Sequence, residues 1–374
     1  MLRQLAALTH RVPRAGPRAL AVAVYANAEG VELPAKAAGL EGVARVDDAA
    51  RACGLLCRLW MATGNPALRE WAEGLLEFVL WMRAGDGCWF NFIDDWQGIR
   101  NRDGVTSAPG VNFWQARAAA ALTECAVTLG DAAARAAVDE ALPAASAAAV
   151  PADVRSLHAL AALNLLRAGD DPRLRSLLAS WCDEILPRRS GVVLLNFDGE
   201  SATPHLWGHA QEAVLAESAK ALGREELATA AIQSGDAVFG AAIRSGFDLP
   251  SAVPYDVQSA VFVMDFLAAA TRGSTYLELG RLPRSWFEGR NPAGAPVYDR
   301  AGGRVGDRID AGRVNRHSGA VANISAGSAL LTDPFLLELA RNWTGFRPYL
   351  SGDLAAAASG DGGGPSAQGG IRHG

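Results

Sequence analysis

No stretch of this 374-residue chain approaches the ~20 uninterrupted apolar residues that a membrane-spanning helix needs. The N-terminal apolar run ALAVAVYANA is short, and proline and arginine break up the charged stretch MLRQLAALTHRVPR before it. A cleaved signal is therefore the weaker reading, and a cytoplasmic protein is expected. An excess of one charge is missing too. The net charge is −5 and the isoelectric point about 5.7, so no basic face for nucleic acid is implied, and no nucleic-acid motif is present. Cysteines are few and odd in number: Cys53, Cys57, Cys88, Cys125 and Cys182. Cys53 and Cys57 share one helix face, but no second pair or histidine cluster accompanies them. That spacing argues against zinc and for buried reduced thiols in a reducing compartment. No strand–glycine–helix order supports a phosphate-binding loop, so neither a cofactor nor a metal is expected.

What the chain has in quantity is apolar residues at helical spacing, half of the sequence being hydrophobic. DDAARACGLLCRLWMATGNP predicts a helix from about Asp47 to Met61, stopped by Gly64-Asn65-Pro66, and the next helix starts on Pro66. Further helices are expected near Asn112, Asp131, Pro151, Pro172, Pro204, Arg224, Pro254, Thr275, His317 and Asp333, about twelve in all. Their connections alternate. TGNP, LGDA and AGDDP are tight turns, whereas GDGCWFNFIDDWQGIRNRDGVTSAPG, GVVLLNFDGESATPHLWG and Glu288–Arg316 are long and rich in aromatics. Short turns on one face and long loops on the other predict an all-α fold, an (α/α)6 toroid of about six helical hairpins with small β-hairpins on the loop face. Residues 1–36 read as an N-terminal segment, 37–350 as the barrel domain, and 351–374 as a flexible tail rich in glycine, serine and alanine.

Several residues could carry chemistry. Asp47 and Asp48 open a helix, where one cap and one solvated acid would be the plain explanation, and Arg51 lies one turn on, within reach of Asp47. CWFNFIDDW supplies Trp89, Asn91, Asp94, Asp95 and Trp96. Flat rings and short polar groups suit a sugar, while the alternation in WFNFID predicts a β-hairpin on the rim. NFDGESATPHLWGHAQEA gathers Asp198, Glu200, His205, His209 and Glu212. The i, i+4 histidines lack an obvious third metal ligand, and a surface loop entering a helix competes with a catalytic His or Glu. Asp256 and Gln258 stand at a helix start, where capping again competes with a pocket role. Finally, GRNPAGAPVYDRAGGRVGDRIDAGRVNRHSG reads as a lid or wall near the barrel mouth. Its polar tips are Arg290, Asn291, Tyr298, Asp299, Asn315 and His317.

Taken in order, VDDAARA, WFNFIDDW, QARAAAAL, YDVQSAV and WFEGRNPAGAPVYD resemble the six-hairpin glycosidase-like superfamily, and more narrowly the (α/α)6 domains found beside or fused to bacterial glycosyltransferases. The resemblance spans about Arg45 to Leu330, and Gly289, Arg290, Asn291, Gly294, Pro296, Tyr298 and Asp299 match its last block. It implies a central pocket for a carbohydrate or glycosylated small molecule. Asp47, Asp48, Asp94 and His317 are its candidate catalytic groups. Arg51, Trp89, Asn91, Trp96, Asp256, Gln258, Arg290, Asn291, Tyr298, Asp299 and Asn315 are its candidate contacts. Several carboxylates of the family pattern are replaced: its acidic pair reads Asn112 and Phe113, and the glutamate of its last motif reads Val321. The leading expectation is a carbohydrate-active enzyme, either glycoside hydrolase-like or a lyase or isomerase that needs fewer acids. A non-catalytic glycan-binding or scaffold protein, and a terpenoid-cyclase-like toroid, are the alternatives. Oligomeric state is not legible.

Overall fold

A computed structural model of the chain describes residues 1–34, 39, 41–201 and 203–344; the expected tail at 351–374 lies outside them. The elements in chain order are α1 (Leu2–Ala7), β1 (Thr9–Arg11), β2 (Leu20–Val22), β3 (Ala44–Arg45), α2 (Val46–Thr63), α3 (Pro66–Trp81), β4 (Phe92–Ile93), α4 (Phe113–Leu129), α5 (Ala132–Ala147), α6 (Ala152–Ala168) and α7 (Pro172–Ile185). There follow β5 (Arg189–Ser190), β6 (Val193–Leu194), α8 (Gln211–Leu222), α9 (Glu225–Gly235), a π-helical turn, α10 (Ala241–Arg244), β7 (Ser251–Ala252), α11 (Pro254–Thr271) and α12 (Ser274–Trp286). Then come β8 (Tyr298–Asp299), β9 (Arg304–Val305), β10 (Arg308–Asp310), β11 (Arg313–Asn315), α13 (Ala320–Ala329) and α14 (Pro334–Arg341).

Local chemistry sets the helix ends. Asn65, Asn112, Asp131, Asp171 and Asp333 each accept a backbone N–H of the turn they cap, and Pro66, Pro172 and Pro334 follow directly on three of those caps. Gly64, Gly130 and Gly223 stop α2, α4 and α8 in the left-handed conformation. α2 differs from expectation. Its N-cap is Arg45, with no side-chain cap, and Asp47 and Asp48 both lie within the first turn. α8 also starts later than expected, at Gln211, because residues 203–210 are spent on turns around His205 and Trp207.

Two concentric rings result. The inner helices α2, α4, α6, α8, α11 and α13 each pack on the next, and α13 returns to α2 and closes the ring. The outer helices α3, α5, α7, α9 and α12 each pack on the inner helix before them, while α14 turns back through 111° and packs on α2. Trp71, Trp181 and Trp286 are fully buried on outer helices α3, α7 and α12. Burial of each leucine side chain in that core, such as Leu55, Leu59 and Leu75, contributes about 1.5–3 kcal/mol. Met1, Leu2, Leu5, Leu20 and Val22 of the N-terminal segment belong to the same core.

Because outer helices return the chain, all inner helices run the same way. Their C-terminal ends meet the tight turns, and the long connectors 82–112, 186–210 and 287–319 lead into the N-terminal ends of α4, α8 and α13. The connectors carry small strand pairs: β5–β6, β8–β9, and β11–β10–β7. WFNFID enters the expected hairpin: Ile93 bridges Arg100, Asp94 N donates to Ile99 O at 2.7 Å and Asn101 N to Phe92 O at 3.0 Å. On its other edge β4 pairs with β3 through Ala44↔Ile93 and Arg45↔Phe92, stitching segments nearly fifty residues apart about the start of α2. Among the described residues no single helix is long and apolar enough to cross a membrane.

Candidate functional site

The first turns of the inner helices converge on the loop end of a cavity of about 470 Å³. Arg117 of α4 is its hub. Its guanidinium is ion-paired with Asp47 of α2, donates to the Tyr255 hydroxyl at 2.9 Å, and lies 4.7 Å from the centre of the Phe113 ring. Arg51 sits 4.1 Å from the centre of the Tyr255 ring and donates to Gln258 Oε1 at 3.3 Å and Ser325 Oγ at 2.9 Å. Four helices are thereby tied together by two guanidiniums. Gly208 lets the chain approach this cluster: at φ +73° a Cβ would be strained, and it would lie 3.2 Å from Phe113, 3.3 Å from the Tyr255 hydroxyl and 3.4 Å from Arg117 Nη2.

Burial alone would push the Asp47 carboxyl up. The charges of Arg117, Arg45 and Arg51 and the hydrogen bond from Arg117 outweigh it and hold Asp47 below its ordinary value. Asp48 is fully buried and accepts from Arg45 at 2.7 and 3.1 Å. Three guanidiniums thus face two carboxylates, an excess of one positive charge. Two polar atoms at this end, Asp47 Oδ1 and Arg117 Nε, are buried without a hydrogen-bond partner, which marks the place where a polar ligand would be rewarded.

Beside this cluster His209 borders the cavity, with Glu212 behind it, both fully shielded from solvent. Glu212 lies 2.8–3.0 Å from His209 Nε2 and accepts from Ser234. The other ring nitrogen is settled by Asn196. The Asn196 amide donates to Glu200 at 3.1 Å and to the His205 carbonyl at 3.0 Å, so its oxygen faces Gln211 Nε2 at 3.0 Å and His209 Nδ1 at 2.7 Å. Nδ1 must therefore carry a hydrogen. One further proton is held between Nε2 and Glu212, and the pair can give or take it. A second histidine, His158, is locked differently. Gln115 Oε1 accepts from Nε2, Nδ1 has no partner, and burial, then Arg155, brings its pKa down to about 3, so the ring stays neutral. At the outer rim His205 stacks on Trp207 at 3.9 Å, 3.6 Å from Asp153, whose carboxyl burial lifts to about 6.

Of the residues singled out in the sequence, Arg51, His209 and Gln258 line the cavity and Asp47 pairs with a residue that does. Arg51 does not pair with Asp47 as the helical spacing suggested, because Tyr255, Gln258 and Ser325 draw it across the ring. The others sit elsewhere. Asp48 neutralises Arg45. Asn91 is buried, accepting from Asp47 N at 3.4 Å and donating to Thr106 O at 3.0 Å, so it pins a loop to the start of α2. Trp89 is a core residue donating to Val79 O, and Trp96 stacks on His10. Asp94 is half-buried and lies off the cavity. Asp256 accepts from Val253 N and caps α11, with its carboxyl raised to about 6 by burial. In the last connector Asn291 holds a turn through Trp286 O, Ala295 O and Ala293 N. Asp299 accepts from Gly302 N, and Asn315 from His317 N. Tyr298 is buried in the core, whereas Arg290 and His317 are exposed. None of these six borders the cavity.

Arg117 and Tyr255 were missed although both lie inside quoted motifs, QARAAAAL and YDVQSAV. The cysteines are free and buried, as read from the sequence, but folding adds a partner that their spacing did not show. α4 brings Cys125 to within 3.0 Å of Cys53 and 3.6 Å of Cys57, sulfur to sulfur, all three buried. Three sulfurs remain one ligand short of a closed tetrahedral zinc site, and among the described residues no fourth ligating group joins them.

No protein-family model matches the chain, and no curated protein matches it by sequence. Solved structures do match over most of its length. A cellobiose 2-epimerase from Bacillus thermoamylovorans B4167 aligns with a TM-score of 0.67 at 12% identity, covering 92% of this chain and 96% of that one. A sugar epimerase from a ruminal bacterium gives 0.65 at 14%, covering 89% and 96%. A family 76 glycoside hydrolase from a bovine Bacteroides thetaiotaomicron strain gives 0.66 at 9%, covering 91% and 76%. At such identities the likeness is one of fold, and it bears out the architecture expected of the sequence: this chain is folded as an (α/α)6 barrel.

Proposed function

We propose that the chain is a carbohydrate-active enzyme that epimerises or isomerises a reducing sugar by moving a proton at a carbon next to the carbonyl. The observation that carries this reading is the shielded His209–Glu212 proton pair at the edge of the cavity, next to the guanidiniums of Arg117 and Arg51. In this structure both ring nitrogens are engaged, Nδ1 with Asn196 and Nε2 with Glu212. The reaction therefore requires Nε2 to leave the shared proton on Glu212, turn to the bound sugar and take the hydrogen from the carbon. The C–H electron pair moves onto the carbonyl oxygen, and the resulting enediolate faces the excess positive charge of the arginine cluster. Return of the proton to the opposite face of the same carbon gives an epimer; return to the neighbouring carbon gives an isomer. Two of the matched structures are described as sugar epimerases, which agrees with this chemistry.

Hydrolysis asks for two carboxyl groups flanking the bond, one protonated and one ionised. Asp47 is committed to Arg117 as an anion, and Glu212 lies behind His209, so the loop end of the cavity offers no such pair. Incubation with glucose, mannose and cellobiose in deuterated water tests the reading. Loss of the C2–H NMR signal is expected together with a new epimer or ketose, and His209→Asn should lower the rate about 10²–10⁴-fold with the circular dichroism unchanged. Release of nitrophenol from nitrophenyl glycosides, with no solvent exchange into any aldose, would sink it.

A further inference from the structure

The cavity continues far beyond the polar cluster. On α4 its lining runs from Arg117 to Thr128, and on α11 from Tyr255 to Phe266, eleven residue steps in each case. At 1.5 Å per residue that is about 16 Å of barrel axis. The lining changes character with depth. Below the arginine layer come Gly54 of α2 and Ala120 and Ala121 of α4, facing Leu160 of α6 and Val261 and Phe262 of α11. Small side chains on two adjacent inner helices leave the middle of the bore unfilled, and larger apolar ones finish its wall. At the tight-turn end, where Val127, Arg167 and Asp265 are exposed to solvent, the wall is polar again but largely occupied with itself. Arg58 donates to both Glu124 oxygens at 3.1 and 3.3 Å and to Ser328 at 3.2 Å, Arg167 donates to Asn164, and Arg284 to Asp265. Arg58 Nε alone of these guanidinium and carboxylate groups has no partner. The polar demand therefore sits at the loop end, and the middle of the bore offers apolar contact to whatever is attached to the group bound there.

We infer that the substrate is a reducing sugar bearing an apolar substituent away from its anomeric carbon, an O-alkyl, O-acyl or O-aryl sugar, with the substituent lying in the bore. This rests on the carbohydrate reading above. The anomeric carbon has to stay free because the proposed proton transfer needs an open-chain carbonyl. The bore is too long and too apolar in its middle to be explained by a bare monosaccharide held at the arginine layer. At about 470 Å³ the cavity falls in the range of sites that enclose a whole small-molecule ligand.

Calorimetric titration of the full-length protein with 4-O- and 6-O-alkyl ethers of glucose and mannose, with chains of one to eight carbons, tests the inference. Free sugars and the corresponding alcohols serve as controls. Affinity should rise about fourfold per added methylene until the bore is full. Ala121→Leu, which fills the middle of the bore, should abolish that rise while leaving the methyl ethers bound as before; Phe262→Ala, which widens it, should shift the optimum to longer chains. Methyl and octyl ethers binding equally, with Ala121→Leu without effect, overturns the inference and leaves the carbohydrate reading standing. Alcohols binding as tightly as their sugar ethers overturns the carbohydrate reading, and no binding by any member of the series overturns both.

Discussion

The Asp47–Arg117 pair offers a direct test of how the loop end of the cavity is held together. Both side chains are about nine-tenths buried, on helices joined by seventy residues of chain, and Arg117 carries the further bond to Tyr255. Removing one member leaves the other charged and out of water, which typically costs about 3–5 kcal/mol. Asp47→Asn and Arg117→Met are therefore each expected to lose that much in urea unfolding at pH 7. The double variant should lose less than the sum, with a coupling of about 0.5–3 kcal/mol. The pH dependence has a definite sign. Asp47 is held below its unfolded value of 3.8, so its contribution is complete above that value and is lost as pH falls through the lower, folded one. The gap between the parent and Asp47→Asn should accordingly narrow once pH drops below 3.8. Two single losses under 0.5 kcal/mol, or strict additivity of the two, would show that the pair is a surface-like contact and that the hub assigned to Arg117 is wrong.

Asp256 behaves in the opposite sense: its carboxyl is raised by burial from 3.8 to about 6, so stability falls as pH rises between those values. Asp256→Asn, which can still accept from Val253 N, should be more stable than the parent at pH 7 by up to roughly 3 kcal/mol, with the advantage vanishing at pH 3.5 in the same urea titration. All five cysteines are buried, and hydrogen bonding to Cys125 and Cys57, followed by burial, raises the Cys53 thiol well above its usual range. A colorimetric disulfide reagent should therefore titrate no thiol within minutes in the native protein and all five in denaturant; rapid reaction of any of them in the native state would contradict the buried trio.

The rings were legible in the sequence because each helix carries its own signals. Apolar residues recur at helical spacing, Asn or Asp caps precede several outer helices, and left-handed glycines end several inner ones. The site was only partly legible, since its bonds are long-range. Nothing near Arg117 in an alanine run points to Asp47, and the i, i+4 spacing that nominated Arg51 was outbid by partners 207 and 274 residues away. The same alanine run reads as helix propensity, yet its small side chains are what open the bore. His209 and Glu212 were visible as neighbours, but only Asn196 and Ser234, brought in by folding, make them a proton pair. Conversely, the most specific motif match, GRNPAGAPVYD, proved to hold turns: Asn291 and Asp299 spend their side chains on backbone N–H and C=O groups, and Tyr298 fills core.

The placement of acids around the mouth gives that partial failure a physical reason. Six inner helices start at one end of the barrel, so six partial positive charges converge there. Acidic residues occupy the first turn of α2, α6, α8 and α11 as Asp47 with Asp48, Asp153, Glu212 and Asp256. α4 and α13 have none, and they flank α2, which brings Arg51 to the cavity. These are also the helices where the resemblance to glycosidase-like domains anticipated carboxylates and the sequence has Asn112, Phe113 and Val321. A mouth with acids at those two helix starts would favour a developing cation, as glycoside cleavage requires. Without them, the helix ends and the arginine cluster leave that side positive, an environment that destabilises an oxocarbenium ion and stabilises an enediolate. Under the proton transfer proposed above, the missing acids, which in sequence look like a decayed hydrolase, are what suits this barrel to that reaction.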